Sequence, residues 1–269
     1  MKKSFVLSPD GTKIRIGKSG KGNRNVLVVH GLAEHLDRYQ YFAETLAQNG
    51  YNVTIVELRG HGESEGKRGH VRQWTQYCED VATAAKTISG KFILFGHSTG
   101  GLTSLYMGLH GLSHPIIGLA LSAPNVLDTV EAPVKKFFGH LLSRIYPTVA
   151  FETGLITKHL SRDPQIVSDY EQSPLVYGTV TARFYTEMLK AQAKVVQAAP
   201  SGKLPVILQV GEDDKIVDPK SALQVMSTWQ GETKIITYPN LYHEIFNEPE
   251  KDKVLADLMD WMNAIFERQ

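Results

Sequence analysis

An unbroken apolar run, "NVLVVH" (25–30), is followed by a stretch with apolar residues at Tyr39, Phe42, Ala43 and Leu46. The run has the composition of a strand buried on both faces. The stretch has the spacing of a helix with one buried side, and Gly50 supplies its stop. The pair recurs as strand "YNVTIVEL" (51–58), a helix from Trp74 to Ile88, strand "KFILFG" (91–96), a helix from Thr99 to Leu109, and strand "PIIGLALSA" (115–123). Buried strands alternating with amphipathic helices predict an α/β fold, a mostly parallel central sheet with helices on both faces. Ahead of this, "KSFVLS" and "TKIRIG" flank "PDG" and predict a hairpin, because Gly11 can take the positive φ of a tight turn.

The rhythm breaks after Pro124. Residues 125–200 contain no buried strand pattern, only helical patterns interrupted by "SRDP" and "QSP". Then "LPVILQVG" (204–211) restores a strand, "SALQVMSTW" (221–229) a helix, "TKIITYP" (233–239) a strand and "DKVLADLMDWMNAIF" (252–266) a final helix. The expected organisation is a core in two pieces, residues 1–124 and 201–269, with a mainly helical insertion over 125–200.

Composition narrows the class without naming a function. Of 269 residues, 42% are hydrophobic and 21% charged, as in an ordinary soluble domain. A net charge of +1 gives no electrostatic footprint for nucleic acid. The single cysteine, Cys78, excludes an internal disulfide and a cysteine zinc cluster. The N-terminal "MKKSFVLSPDG" has the lysines of an export signal but not its apolar centre, and no window approaches the roughly 20 apolar residues of a membrane span. A cytoplasmic location is expected.

Chemistry concentrates in "FILFGHSTGGLTSLYMG", where Ser98 stands between Gly96 and Gly100 at the junction of a strand and a helix. A chain turning that sharply leaves no room for flanking side chains, and it lifts the serine hydroxyl above the C-terminal edge of the sheet, where ligands bind in open α/β folds. Ser98 is therefore the candidate nucleophile. A nucleophilic serine needs a base, and the base needs a carboxylate. Of ten histidines, His243 in "YPNLYHEIF" is the one on a loop between the last strand and the last helix, at the same sheet edge. His30 and His61 read as loop-shaping residues. The acid is expected after strand 204–211, where Glu212, Asp213, Asp214 and Asp218 crowd together. Spacing does not separate Asp213 from Asp214, and Asp218, just before Pro219, reads as a helix N-cap. The oxyanion donors are expected to be the backbone amides of Thr99, next after the serine, and Leu32, where Gly31 lets the backbone approach.

With these residues in place the chain resembles an α/β-hydrolase, and more narrowly the monoacylglycerol lipase and lysophospholipase branch. The likeness rests on "HGLAEHLDRY" (30–39), "ELRGHGESEG" (57–66), "GHSTGG" (96–101), "GEDDKIVD" (211–218) and "YHEIFNE" (242–248), which follow the family's order. The resemblance selects Asp214 as the acid, assigns Leu32 and Thr99 to the oxyanion hole, and implies a helical cap where the sheet rhythm breaks. Two positions depart from it: Thr99 where relatives more often carry Met or Gln, and Glu57 where Asp is common. Glu34 and Arg38 match polar positions near the family's head-group side. They can act there, or as an i,i+4 ion pair bracing the loop.

The resemblance implies hydrolysis of a single-chain lipid ester, most directly a monoacylglycerol, with no metal or organic cofactor. Lysophospholipid, simple carboxylic esters and thioesters are alternative substrates, and a binding protein without turnover is the alternative of another class. In "APVKKFFGHLLSRIY" (132–146), Val134, Phe137, Phe138, Leu141, Leu142 and Ile145 share one helical face, with Lys135, Lys136, His140 and Arg144 around it. Such a helix either packs on the core or touches a lipid surface.

Overall fold

The computed structural model describes residues 1–111, 115–127 and 143–269. Strands β1 (Lys2–Leu7), β2 (Lys13–Ser19), β3 (Arg24–Val29), β4 (Tyr51–Glu57), β5 (Phe92–His97), β6 (Ile116–Ser122), β9 (Val206–Gly211) and β10 (Thr233–Tyr238) form one eight-stranded sheet in the order β1-β2-β4-β3-β5-β6-β9-β10. The β1–β2 and β2–β4 pairings are antiparallel and the others parallel. This is the mostly parallel sheet that the hydrophobic pattern predicts.

The unbroken apolar strands have a direct cause. Along β3, Val26 and Val28 face one side of the sheet while Leu27 and Val29 face the other, and all four are fully buried. One side is covered by α1 (Gln40–Gln48) through Phe42 and Leu46, and by the C-terminal helix α7 (Lys251–Glu267) through Leu255, Leu258 and Met262. The opposite side is covered by α2 (Thr75–Ala85), α3 (Thr99–His110) and α6 (Pro219–Ser227). Asp218 caps α6 by accepting the Lys220 N–H at 3.0 Å.

Chain order reverses at β3. The connection through α1 leads to β4 on one side of it, and the connection through α2 returns to β5 on the other. In parallel sheets this reversal opens a crevice beyond the strand ends, because the two connections leave toward opposite faces. The loops after β3 and β5 begin at His30 and Ser98, so the switch point itself brings Leu32 and Thr99 to the same crevice.

Between β6 and β9 the described residues include the helices α4 (Pro164–Gln172) and α5 (Ala182–Ala198), short helical turns at 143–145, Thr157–His159 and Ala199–Ser201, and a two-stranded antiparallel sheet of β7 (Ala150–Glu152) and β8 (Thr179–Thr181). The two interruptions in the helical pattern are the ends of α4. Asp163 caps it with Pro164 in the first turn, and it stops before Ser173 and Pro174. The short β7–β8 pair escapes the sequence pattern because β7 is exposed throughout and carries no apolar alternation. Most of the basic amphipathic helix expected over 132–146, from Ala132 to Leu142, lies outside the described residues.

The Glu57 departure has a structural role. Its carboxylate, fully buried, accepts the Leu36 N–H (3.1 Å) with one oxygen and the Glu63 (2.7 Å) and Ser64 (3.0 Å) N–H groups with the other. It thereby joins the loop after β4 to the loop after β3. Glu57→Ala takes the carboxylate acceptor from the buried Leu36 amide and from the Glu63 amide, while Ser64 N–H keeps His61 O at 2.9 Å, and it removes one partner of Arg15, so it should destabilise the fold by about 2 kcal/mol in denaturant unfolding.

Candidate active site

The turn at Ser98 is tight enough to force its backbone to φ 51° and ψ −116°, a region that a side-chain-bearing residue occupies only under constraint. Glycine on either side makes this possible. A Cβ on Gly100 would lie 2.2 Å from the Val29 carbonyl oxygen, and one on Gly96 would lie 2.4 Å from the Gly100 carbonyl oxygen. The turn is pinned from outside as well, since the Ser98 N–H donates to Ser122 O (2.9 Å) and Ser98 O accepts from Leu102 N (3.0 Å) and Asn125 N (3.0 Å).

His243 and Asp214 meet in a buried pair, Nδ1 to Oδ2, at 2.7 Å. The second oxygen of Asp214 accepts the N–H groups of Ile216 (2.8 Å) and Val217 (3.0 Å). Asp213, which spacing alone could not separate from Asp214, is exposed. Burial would push the Asp214 carboxyl up, but His243 and those amides outweigh it and hold its pKa below the ordinary value. Burial likewise pulls the His243 imidazolium down, and the Asp214 charge and hydrogen bond outweigh that and raise it above 6.5. With Nδ1–H turned to the carboxylate, Nε2 is left as the basic nitrogen. Ser98 and His243 share the wall of one cavity, although among the described contacts no hydrogen bond yet joins Ser98 Oγ to Nε2. Unliganded sites often close this contact only around substrate.

Neighbouring histidines are kept out of the chemistry. His97 packs its ring 4.8 Å from that of His243 and sits 3.0 Å from Ser122 Oγ. Burial, then the nearby His243, lowers its pKa to about 4, so it stays neutral. His30 accepts the Leu58 N–H at Nε2 (3.0 Å), which places its proton on Nδ1, and that N–H donates to Gly31 O at 2.7 Å. The carbonyl it holds belongs to the same peptide plane as the Leu32 N–H. His61 makes a contact of 3.1 Å with Arg59 O and accepts from Tyr177 Oη at 2.6 Å.

Leu32 and Thr99 both line the cavity, and among the described residues neither backbone N–H has a hydrogen-bond acceptor. Both amides are thus available to a developing oxyanion. Glu34 also lines the cavity but is committed to Gly31 N, Tyr39 Oη (2.9 Å) and Arg38 (2.9 Å). Arg38 does not line it. Its guanidinium grips Glu244 through two bonds of 2.6 and 2.7 Å. Burial alone would raise the Glu244 carboxyl, and Arg38 overrides it, holding the pKa at about 2. Glu244 is a site residue that sequence reasoning missed. Its only signal is adjacency to His243, and nothing in periodicity reveals that Arg38 reaches it across 206 positions.

The cavity measures about 360 Å³. Apolar side chains form much of its lining, among them Leu127, Leu155, Ile156, Phe184 and Met188, all from the segment between β6 and β9.

Residues 20–250 match the Hydrolase_4 family, described as serine aminopeptidase, S33. The chain belongs to this family. It is 31% identical to a monoacylglycerol lipase of Mycolicibacterium smegmatis over 88% of its own length and 87% of that protein. It is 30% identical, over 90% of its length, to an abhydrolase domain-containing protein of Dictyostelium discoideum, of which it spans only 26%. The crystal structure of Paleococcus ferrophilus monoacylglycerol lipase superposes with a TM-score of 0.87 at 29% identity, covering 94% of this chain and 99% of that one. The chain is an α/β-hydrolase of the monoacylglycerol-lipase-like branch and a carboxylic-ester hydrolase. No helix among the described residues of this hydrolase is long and apolar enough to cross a membrane.

The opposed influences on His243 can be separated by titration. Its imidazolium should titrate above 6.5 by NMR in the intact hydrolase. In Asp214→Asn the carboxylate is gone while burial remains, so the same resonance should titrate below 6.5.

Proposed function

We propose that this hydrolase cleaves single-acyl-chain lipid esters, with monoacylglycerol the leading substrate, through an acyl-enzyme on Ser98. The observation that carries the reading is the buried Asp214–His243 pair on the wall of the cavity that Ser98 also lines, a cavity with many apolar side chains. Ser98 Oγ attacks the ester carbonyl as Nε2 of His243 takes its proton, and Asp214 orients the ring and stabilises the imidazolium. The Leu32 and Thr99 amides hold the tetrahedral oxyanion. His243 then returns the proton to the leaving alcohol, and water releases the acid by the same steps in reverse.

Residues 125–200 act in this reading as a cap whose apolar side chains receive the acyl chain. Glu34 and Arg38 brace the loops rather than grip substrate, because their charges are already met by each other and by Glu244. The same pairing disfavours the aminopeptidase activity in the family's description. Binding an N-terminal ammonium calls for a carboxylate free to meet it; of the carboxylates that line the cavity, Glu34 and Glu244 face Arg38, and Asp218 is engaged in capping α6 through the Lys220 N–H.

A panel of monoacylglycerols, lysophospholipids, short esters and amino-acid anilides tests the reading. Monoacylglycerols of medium or long chain should give the highest kcat/KM and the anilides none. Ser98→Ala should lower turnover by at least about 10⁴-fold and abolish fluorophosphonate labelling. Anilide cleavage exceeding ester cleavage, or turnover surviving Ser98→Ala, contradicts it.

A further inference from the structure

Helix α4 ends against the loop that carries the Leu32 amide, and the contact is polar and directed. Tyr170 Oη donates to the Ala33 carbonyl at 3.0 Å. The Tyr170 ring lies with the Arg38 guanidinium 5.0 Å from its centre. Three residues further on, Ser173 Oγ stands 3.0 Å from His35 Nε2. Tyr170, Ala33 and His35 are all buried.

Ala33 needs such support. Its φ is +59°, in the left-handed region, which costs a residue with a Cβ about 1 kcal/mol and persists only where the surroundings over-determine it. On the near side, His30 holds the Gly31 carbonyl. On the far side, the Tyr170 hydroxyl holds the Ala33 carbonyl. The Leu32 N–H lies between these two anchored carbonyls. One anchor comes from the core, and the other comes from the segment between β6 and β9.

We infer that Tyr170 is a positioning residue for the oxyanion hole, its hydroxyl holding the Ala33 peptide so that the Leu32 N–H faces the reacting carbonyl. The inference rests on the proposed role of Ser98 and adds a consequence to it. The hole is complete only while α4 is seated on the loop after β3. Further contacts serve that seating: Tyr177 Oη on His61 Nε2 at 2.6 Å and Thr181 N on Gly69 O at 2.9 Å. Displacement of α4 takes one oxyanion donor out of alignment, and because Leu160 O, just ahead of α4, accepts the Glu244 N–H at 2.8 Å, it also pulls on the loop that carries His243; removing the Tyr170 hydroxyl alone separates the two effects.

Tyr170→Phe keeps the ring and removes only the hydroxyl. With a p-nitrophenyl acyl ester, kcat should fall about tenfold while KM stays within about twofold, because an oxyanion donor acts in the transition state and not on bound substrate. An alkyl boronic acid, whose tetrahedral adduct on Ser98 places an oxygen in the hole, should lose affinity by a similar factor. The acidic limb of the pH–rate profile should not move, since His243 is untouched. Ser173→Ala removes the second anchor and should act in the same sense more weakly; it carries the test if Tyr170→Phe does not fold. An unchanged kcat with a lower melting temperature makes Tyr170 merely structural, and a raised KM at unchanged kcat makes it a substrate contact. Either result overturns the inference. Ser98→Ala in parallel keeps the two readings apart: turnover that survives it removes the nucleophile assignment, whereas turnover lost there alongside an unaltered Tyr170→Phe removes only the positioning role.

Discussion

A residue with a full side chain held at φ 51° does not stay there by its own preference. At Ser98 the constraint is met by the two flanking glycines, by hydrogen bonds with Ser122 and Asn125 at the end of β6 and with Leu102 of α3, and by packing of α3 onto β3 and β5. The reward is positional. The hydroxyl stands at the end of the sheet, and the first free amide of α3 stands next to it. Moving the turn by even the width of a methyl group would drive the helix off the Val29 and His30 carbonyls, since a Cβ on Gly100 would lie within 2.4 Å of both. Everything else in the site is arranged relative to this fixed point.

Charge is handled in closed groups around it. Asp214 faces His243, and Glu34 and Glu244 share Arg38, so no described carboxylate in direct contact with these bases is left without a partner. Breaking such a group would strand a buried charge, a larger penalty than the net gain of forming it. His97, although its ring touches that of His243, stays neutral through burial and the neighbouring imidazole. The result is an imidazole of raised basicity, that of His243, on the cavity wall beside a neutral His97.

The sheet was readable because its central strands are buried on both sides, which demands unbroken apolar runs that few other structures share. The placement of Ser98 and His243 at loop ends on one sheet edge was readable because glycine spacing and chain order mark such ends. The carboxylate that pairs with His243 was narrower ground. Asp213 and Asp214 are adjacent in sequence and differ only in which side of the loop they face, and that direction is set by the Ile216 and Val217 amides gathering one oxygen. Glu244 and Tyr170 were not readable at all. Each acts through a partner far away in the chain, Arg38 and Ala33, and long-range pairing leaves no local pattern. The β7–β8 ribbon was invisible for a different reason: β7 is exposed throughout and β8 is three residues long, too short to impose a period.

The central claim is that the strained serine forms a covalent bond with the acyl group. Mixing the protein with a p-nitrophenyl acyl ester, quenching in acid within the first turnover and mapping the peptides by mass spectrometry tests it directly. An acyl increment confined to the peptide carrying Ser98, formed no more slowly than steady-state turnover, is the expected result. Turnover without any adduct, or an adduct on another residue formed at the catalytic rate, would contradict the account.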